Sequence, residues 1–441
     1  MIASGMHYSW TSPSLPKLQS NTSTIFVSNE QGSWMAVMPL LGSFLGGPIV
    51  AVVVDFLGRK KTFILGSIPY FAAWIMVAYA QSVAVIHIAR FMAGAADGFI
   101  CTAAPMYIGE ISSPKIRGLL GSGISVAHAL GFLLINIVGS YLSIRNAALV
   151  SSAIPLLAIL IFLLMPESPY YFVMRNNLQL AKKNLQRLRG TNDVEEEFTR
   201  ISLAVKQQTE NSGKFLDLFT NKVNRKAVYI MLILRGAQQL SGTAAMTFYT
   251  QQIFIEAGSN LSSDLASIIY FSVQLSLSCF CSSIVDKTGR RPLLLVSILG
   301  SAAALIVQGT YFYLKTQIDV SGLTFIPIVA LIGFVVTFSL GLQTIPVVIL
   351  GEIFSANVKA FALCLADIYF SIIATVVSKF FQIMTDAFGI YVPFYAFTGS
   401  CVLGAVLIYF FVPETKGKTL EDIQRHFRGN DDGTEKKKVT T

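Results

Sequence analysis

Asp55-Phe56-Leu57-Gly58-Arg59-Lys60 follows one long apolar run, and Asp286-Lys287-Thr288-Gly289-Arg290-Arg291 follows another 231 residues further on. Two more signals recur in the same order. Glu110-Ile111, with Lys115 and Arg117-Gly118 after it, returns as Glu352-Ile353 with Lys359-Ala360, and Pro166-Glu167-Ser168 returns as Pro413-Glu414-Thr415. Three signals at similar offsets make the chain two homologous halves. Parallel six-span halves with a solute site between them are one of the plans of secondary transporters.

The apolar runs between these signals are bilayer-sized. Mean hydropathy is +0.61; hydrophobic residues make up 53% and charged residues 13%, against about 25% charged in water-soluble domains. An all-α membrane protein is therefore expected, because helices satisfy every backbone group without water. Full spans are expected at about 31–54, 62–80, 84–106, 119–140, 146–165, 227–255, 265–285, 292–314, 323–350, 358–385 and 391–412, each near the ~20 residues that cross a bilayer. Met1 to Tyr8 is apolar but too short to span. It reads as the last two turns of a first helix whose beginning lies before the sequence given, with a polar loop after it. The expected units are an N-terminal half (1–166), a linker with short helices (167–226), a C-terminal six-span half (227–412) and a tail (413–441). The five cysteines, Cys101, Cys279, Cys281, Cys364 and Cys401, are odd in number and lie in apolar segments, so no disulfide framework is indicated.

Orientation follows from the basic residues. With the 167–226 stretch placed in the cytoplasm, 27 of the 33 Lys and Arg fall on that side, and only Lys17, Arg145 and Lys315 fall in the opposite loops. The net charge of +9 is thus an orientation signal and not a nucleic-acid footprint. Both glycosylation sequons, at Asn21 and Asn260, fall on the expected outer side.

Polar groups inside spans are costly, so each needs a reason. Gln238 and Gln239 sit near mid-depth of the 227–255 run, where their amides either glue helices together or receive a polar solute. Arg235 lies three and four residues before them on the same face. It either lines a cavity, where it favours an anionic solute or pairs with Asp367, or it snorkels to the cytoplasm. Arg90, Asp97, Lys379 and His128 are further polar groups within spans, and His128 can titrate near neutral pH. No histidine pair, phosphate loop or cysteine cluster points to an enzyme, a metal or a cofactor. The expected partners are the lipid bilayer and a small solute, without an obligate protein partner.

Taken in order, the two Asp-x-x-Gly-Arg-basic loops, Arg90-Phe91 with Gly94 and Gly98, Pro105-x-Tyr107-x-x-Glu110-Ile111, Arg117-Gly118, Pro166-Glu167-Ser168-Pro169, Gln238-Gln239-Leu240-Ser241-Gly242, Glu352-Ile353-Phe354 and Pro413-Glu414-Thr415 resemble the sugar porter branch of the major facilitator superfamily, and within it the insect facilitated trehalose transporters. The resemblance implies a major facilitator fold and a plasma-membrane carrier moving trehalose or a hexose by alternating access, as facilitated diffusion. A non-transporting sugar sensor or a carrier of another small polar solute is the alternative. The sugar-binding residues it implies are Gln238, Gln239 and Gln274; Asn136 on the fifth span is another candidate, and Tyr249 offers an aromatic wall for the apolar face of a sugar ring. The resemblance implies gating roles for Asp55, Arg59, Arg90, Glu110, Arg117, Glu167, Asp286, Arg290, Arg291, Glu352, Lys359 and Glu414, whose charges are expected to pair when the inner side closes. Departures from the family pattern include Ala244, Ser125, Phe370 and Ser371, and a tenth span reading Gly341-Leu342-Gln343-Thr344. The position matching the coupling carboxylate of proton-linked relatives is Thr11.

Overall fold

The computed structural model describes residues 1–441 except 22, 114–115, 211–214, 259–260, 417, 419–421, 424–426 and 428–441; the side chains of 51, 117–118, 207–210, 281–287, 321 and 356 also lie outside the description. The described chain is helical throughout. The N-terminal half contains α1 (Ile2–Ser9), α2 (Thr11–Leu18), α3 (Asn29–Leu57), α4 (Arg59–Ala78), α5 (Val83–Ile111), α6 (Arg117–Tyr141) and α7 (Ile144–Leu164). The linker forms α8 (Pro169–Met174), α9 (Leu178–Arg189), α10 (Glu195–Glu210) and α11 (Asp217–Thr220). The C-terminal half contains α12 (Lys222–Leu240), α13 (Thr243–Phe248), α14 (Thr250–Ala257), α15 (Ser263–Thr288), α16 (Arg290–Gln317), α17 (Ile326–Leu340), α18 (Ile345–Ile353), α19 (Ala356–Phe388) and α20 (Tyr391–Phe411).

Helix starts follow local chemistry. Ser28 and Gln31 form a capping box at α3, and Asn221 accepts the Val223 N–H at 2.9 Å to start α12. Among the described residues, ten stretches are long and apolar enough to cross a membrane. The outward faces of α7 and α20 leave Leu156, Leu157, Leu160, Val402, Leu403 and Phe410 exposed, as lipid-facing residues are.

The path of the 227–255 run is not one straight span. Gly242, at φ +85°, separates α12 from α13, and a Cβ there would come within 2.4 Å of the Phe397 ring. The chain bends again at Tyr249, between α13 and α14. The first helix has the same interrupted form. The polar loop expected after Tyr8 is instead helical through Leu18, because Thr11, Ser12, Pro13, Ser14 and Leu15 are buried among other helices and do not meet lipid. Ser12 donates to the Asn136 amide oxygen at 2.9 Å, which shows how a polar sequence is satisfied there.

The tenth span also breaks, at 341–344 between α17 and α18. Its freed backbone groups are met by side chains: Ser297 accepts the Leu342 N–H at 3.0 Å, and Gln238 donates to the Leu342 and Gln343 carbonyls at 2.9 and 3.2 Å. Across the halves, α3 packs on α19 and α6 packs on α15.

Candidate functional site

One end of the bundle carries the repeated charged signals, and each half builds the same clasp there. Gly58 and Gly289 precede α4 and α16 at φ +89° and +96°. Glu167 then accepts the backbone N–H of Arg59 and Lys60, each at 3.1 Å, and Glu414 accepts those of Arg290 and Arg291, each at 3.0 Å. A carboxylate so placed meets the orphan donors and the positive end of a helix. Partial burial alone would raise the Glu414 carboxyl. The backbone N–H groups of Lys416, Arg290, Arg291 and Thr415 outweigh that and hold it below the usual glutamate range.

Among the described residues, the ion pairs of this end lie within each half. Arg59 meets Glu110 at 2.9 Å and Asp55 at 3.4 Å, and Arg290 meets Glu352 at 3.1 Å. Lys359 donates to the Gly351 carbonyl at 2.8 Å, and Arg291 reaches the Tyr409 carbonyl. In this state the pairs therefore tie neighbouring helices of one half. The side chains of Arg117 and Asp286 lie outside the description, as do Lys115 and Asn260; Asn21 is exposed in a turn.

Deeper in the bundle the candidate amides divide by what they touch. Gln238 is fully engaged: its oxygen accepts from Arg235 at 3.0 Å and its nitrogen holds the 342–343 carbonyls. Asn136 is fully buried, donating to Ser9 and the Phe132 carbonyl and accepting from Ser12. The amide oxygens of Gln239, Gln274 and Gln343 are buried and meet no partner among the described residues. The Gln343 nitrogen reaches Ser278 at 3.4 Å, one turn from Gln274 on α15, while its carbonyl is held by the neighbour of Gln239. Tyr249 is buried, with an unpartnered hydroxyl and its ring stacked 5.2 Å from Phe381.

Arg235 resolves the choice left by the sequence. It pairs with Asp367 of α19 at 3.1 Å and lies 5.4 Å from the Phe370 ring, so its charge is answered inside the bundle. Asp367 is 72% exposed although it lies well within α19, and Cys101, well within α5, is exposed too. Both therefore face an open space between the halves. At the end away from the clasps that space is shut: Asn29 donates to Asp386 at 3.0 Å, Lys379 donates to Ser33 at 2.7 Å and sits 4.2 Å over Trp34, and Gln251 donates to Ser140 at 2.8 Å.

Arg90 is buried; it donates to the His7 carbonyl and lies 5.2 Å from the Trp10 ring. The Thr11 hydroxyl is buried without a partner among the described residues. Two features were not read from the sequence. The sequence marks Gln343 only as a departure from the tenth-span pattern, and the hydroxyls of Ser4 and Tyr70 converge on Asp97 from α1 and α4.

Comparison with known proteins gives one answer at three levels. Residues 4–427 match the family described as Sugar (and other) transporter. The chain is 36% identical over 434 residues to the facilitated trehalose transporter Tret1 of Anopheles gambiae, covering 96% of this chain and 54% of that protein. It is 33% identical over 429 residues to Tret1 of Apis mellifera ligustica, covering 96% of this chain and 85% of that one. The chain thus spans about half the length of some of these relatives. The inward-open structure of the xylose transporter XylE from E. coli superposes with TM-score 0.80 at 21% identity, covering 96% of this chain and 97% of that one. Its partially occluded inward-open form gives 0.78 at 22% identity, covering 95% and 97%. With the duplicated clasps, the interrupted helices facing each other and a family match across nearly its whole length, the chain belongs to the sugar transporter family and has the major facilitator fold.

Proposed function

We propose that the chain carries a sugar, trehalose or a hexose, across the plasma membrane by alternating access, down its gradient. The clasp end, the linker and the tail face the cytoplasm in this reading. The observation that carries it is the three buried amide oxygens of Gln239, Gln274 and Gln343, on α12, α15 and the break in the tenth span, which meet no partner among the described residues. A buried amide oxygen without a donor costs about 1–3 kcal/mol, and the donors of a sugar's hydroxyls remove that cost. Gln238, Asn136 and Tyr249 hold the helices that present these groups. Relatives named as trehalose transporters supply the substrate class.

Downhill movement is supported by the surroundings of Arg90. The first helix offers it the His7 carbonyl and the Trp10 face and no carboxylate.

The test is saturable uptake of labelled trehalose, glucose and fructose by liposomes containing the purified protein. Replacing Gln239 or Gln274 by Ala is expected to raise KM about 10-fold or more, the equivalent of one lost hydrogen bond of about 1.4 kcal/mol, with little change in melting temperature. No uptake of any of these sugars by well-folded protein would sink the transport reading, and sugar binding without counterflow would identify a sensor.

A further inference from the structure

Several groups that fasten the end away from the clasps also have a partner in their own half. Asp386 of α19 accepts Asn29 from across the halves at 3.0 Å and Gln382 of its own helix at 2.9 Å. Asn29 in turn accepts from Gln19 at 3.2 Å. Ser33, which receives the Lys379 ammonium at 2.7 Å, donates to the Glu30 carbonyl. Gln251 is the buried donor that crosses this seam. It lies on α14, is 2% exposed, and its amide nitrogen meets three acceptors. One is the Ser140 hydroxyl of α6, in the other half, at 2.8 Å; the others, both on α15 of its own half, are the Asp264 carboxylate at 2.8 Å and the Ser267 hydroxyl at 3.4 Å.

Ser140 itself is held in place. Lys17 of α2 spends its ammonium on the Gly139, Ser140 and Leu142 carbonyls, the last two at 3.0 and 2.8 Å, and so meets the negative end of α6. Beside it α2 and α14, the last segments of the two interrupted helices, pack on each other. An amide nitrogen carries two hydrogens, so three acceptors are one more than it can fill at once. When α14 leaves α6, Ser140 is lost. Asp264 and Ser267 remain, because α15 follows α14 in the same half and packs on it. Two hydrogens then face two acceptors, and the penalty of a stranded buried donor is avoided.

We propose that Gln251 is the release catch of this end, a positioning residue that joins the halves through Ser140 while they are together and rests on Asp264 and Ser267 as they part. The catch rests on the transport reading above, since it serves the exchange between two openings.

The test reads the opening of this end without sugar. Ser33, 2% exposed at the seam, is replaced by Cys in a chain whose native cysteines are replaced, and its rate of reaction with a water-soluble maleimide is measured on the purified protein. That rate follows the fraction of time the end stands open. Ser140→Ala removes the acceptor across the seam and is expected to speed the reaction about 3-fold or more. Asp264→Ala makes opening strand a donor and is expected to slow it by a similar factor, while Asp264→Asn keeps an acceptor oxygen and restores most of the parent rate. In Gln251→Leu the effect of Ser140→Ala should vanish. Melting temperatures check that each variant is folded, and if Gln251→Leu is not, the opposite signs of the other two still decide. Changes in the same direction for Ser140→Ala and Asp264→Ala mark general loosening and overturn the catch. So does an unchanged rate in Ser140→Ala, or an effect of Ser140→Ala that persists without Gln251. If the labelling follows the expected pattern and yet no sugar moves, the catch stands and the transport reading alone fails.

Discussion

Gln238 and Gln239 are neighbours of the same type with opposite fates, and mutation separates them. Gln238→Ala strands two backbone carbonyls and frees one face of Arg235. It is expected to lower stability by about 1–3 kcal/mol, read as a drop in melting temperature in detergent, whereas Gln239→Ala shows itself in KM. If the two substitutions shift the melting temperature equally, the division is wrong. Arg235→Met leaves Asp367 without its cation, and a double-mutant cycle with Asp367→Asn should return part of the loss, with a coupling of about 1 kcal/mol for a pair whose carboxylate is largely exposed. The side-chain types needed at mid-depth were legible in the sequence, because an amide inside an apolar run must meet something. Which amide is spent on the protein was not legible, since that depends on the break at 341–344, more than 100 residues away in the chain. The sequence marks Asp97 as a charge within a span, but its partners Ser4 and Tyr70 come from helices whose facing no single-sequence pattern gives.

At the scale of the element, hydropathy located every uninterrupted span and missed the interruptions. A window of about 20 residues averages over the one glycine at positive φ that divides α12 from α13. Thr11–Leu18 failed the same window for another reason: its surroundings are protein and not lipid, and the Ser12 hydroxyl is paired there with Asn136. The clasps lend themselves to a direct test. Gly58→Ala puts a Cβ 2.4 Å from the Glu167 carboxylate at a backbone conformation that essentially only glycine adopts. The expected loss is about 2–3 kcal/mol. Gly289→Ala meets Glu414 at a gentler 3.1 Å and should lose less. Equal losses would show that the carboxylate contact does not matter. Glu414 also sets an acid limit. Its folded value lies below the usual one, so its contribution is fully present above the ordinary glutamate value of about 4.3 and disappears as pH falls through the depressed value. Below about pH 5 the melting temperature of Glu414→Gln should therefore fall less steeply than that of the wild type.

For the whole molecule, the state seen is shut at the end where α3 meets α19 and open between Cys101 and Asp367. Cysteines placed at Asn29 and Asp386, in a chain whose native cysteines are replaced, should form a bridge that blocks sugar uptake, and a reductant should restore it. Uptake that continues while the bridge is intact would show that this end need not open. The two-half organisation was legible from the repeats alone, because the clasp residues are fixed by chemistry and return in order. That the pairs among the described residues lie within each half was not legible, because sequence spacing does not say which helices are neighbours.

The clasps also bear on how the molecule is made. In each half the acceptor comes from residues just beyond the last span, Glu167 or Glu414, while the donors belong to the loop after the second. A ribosome delivers the donors first and the acceptor about a hundred residues later. In each half the part that closes the clasp is therefore the last of its parts to be made.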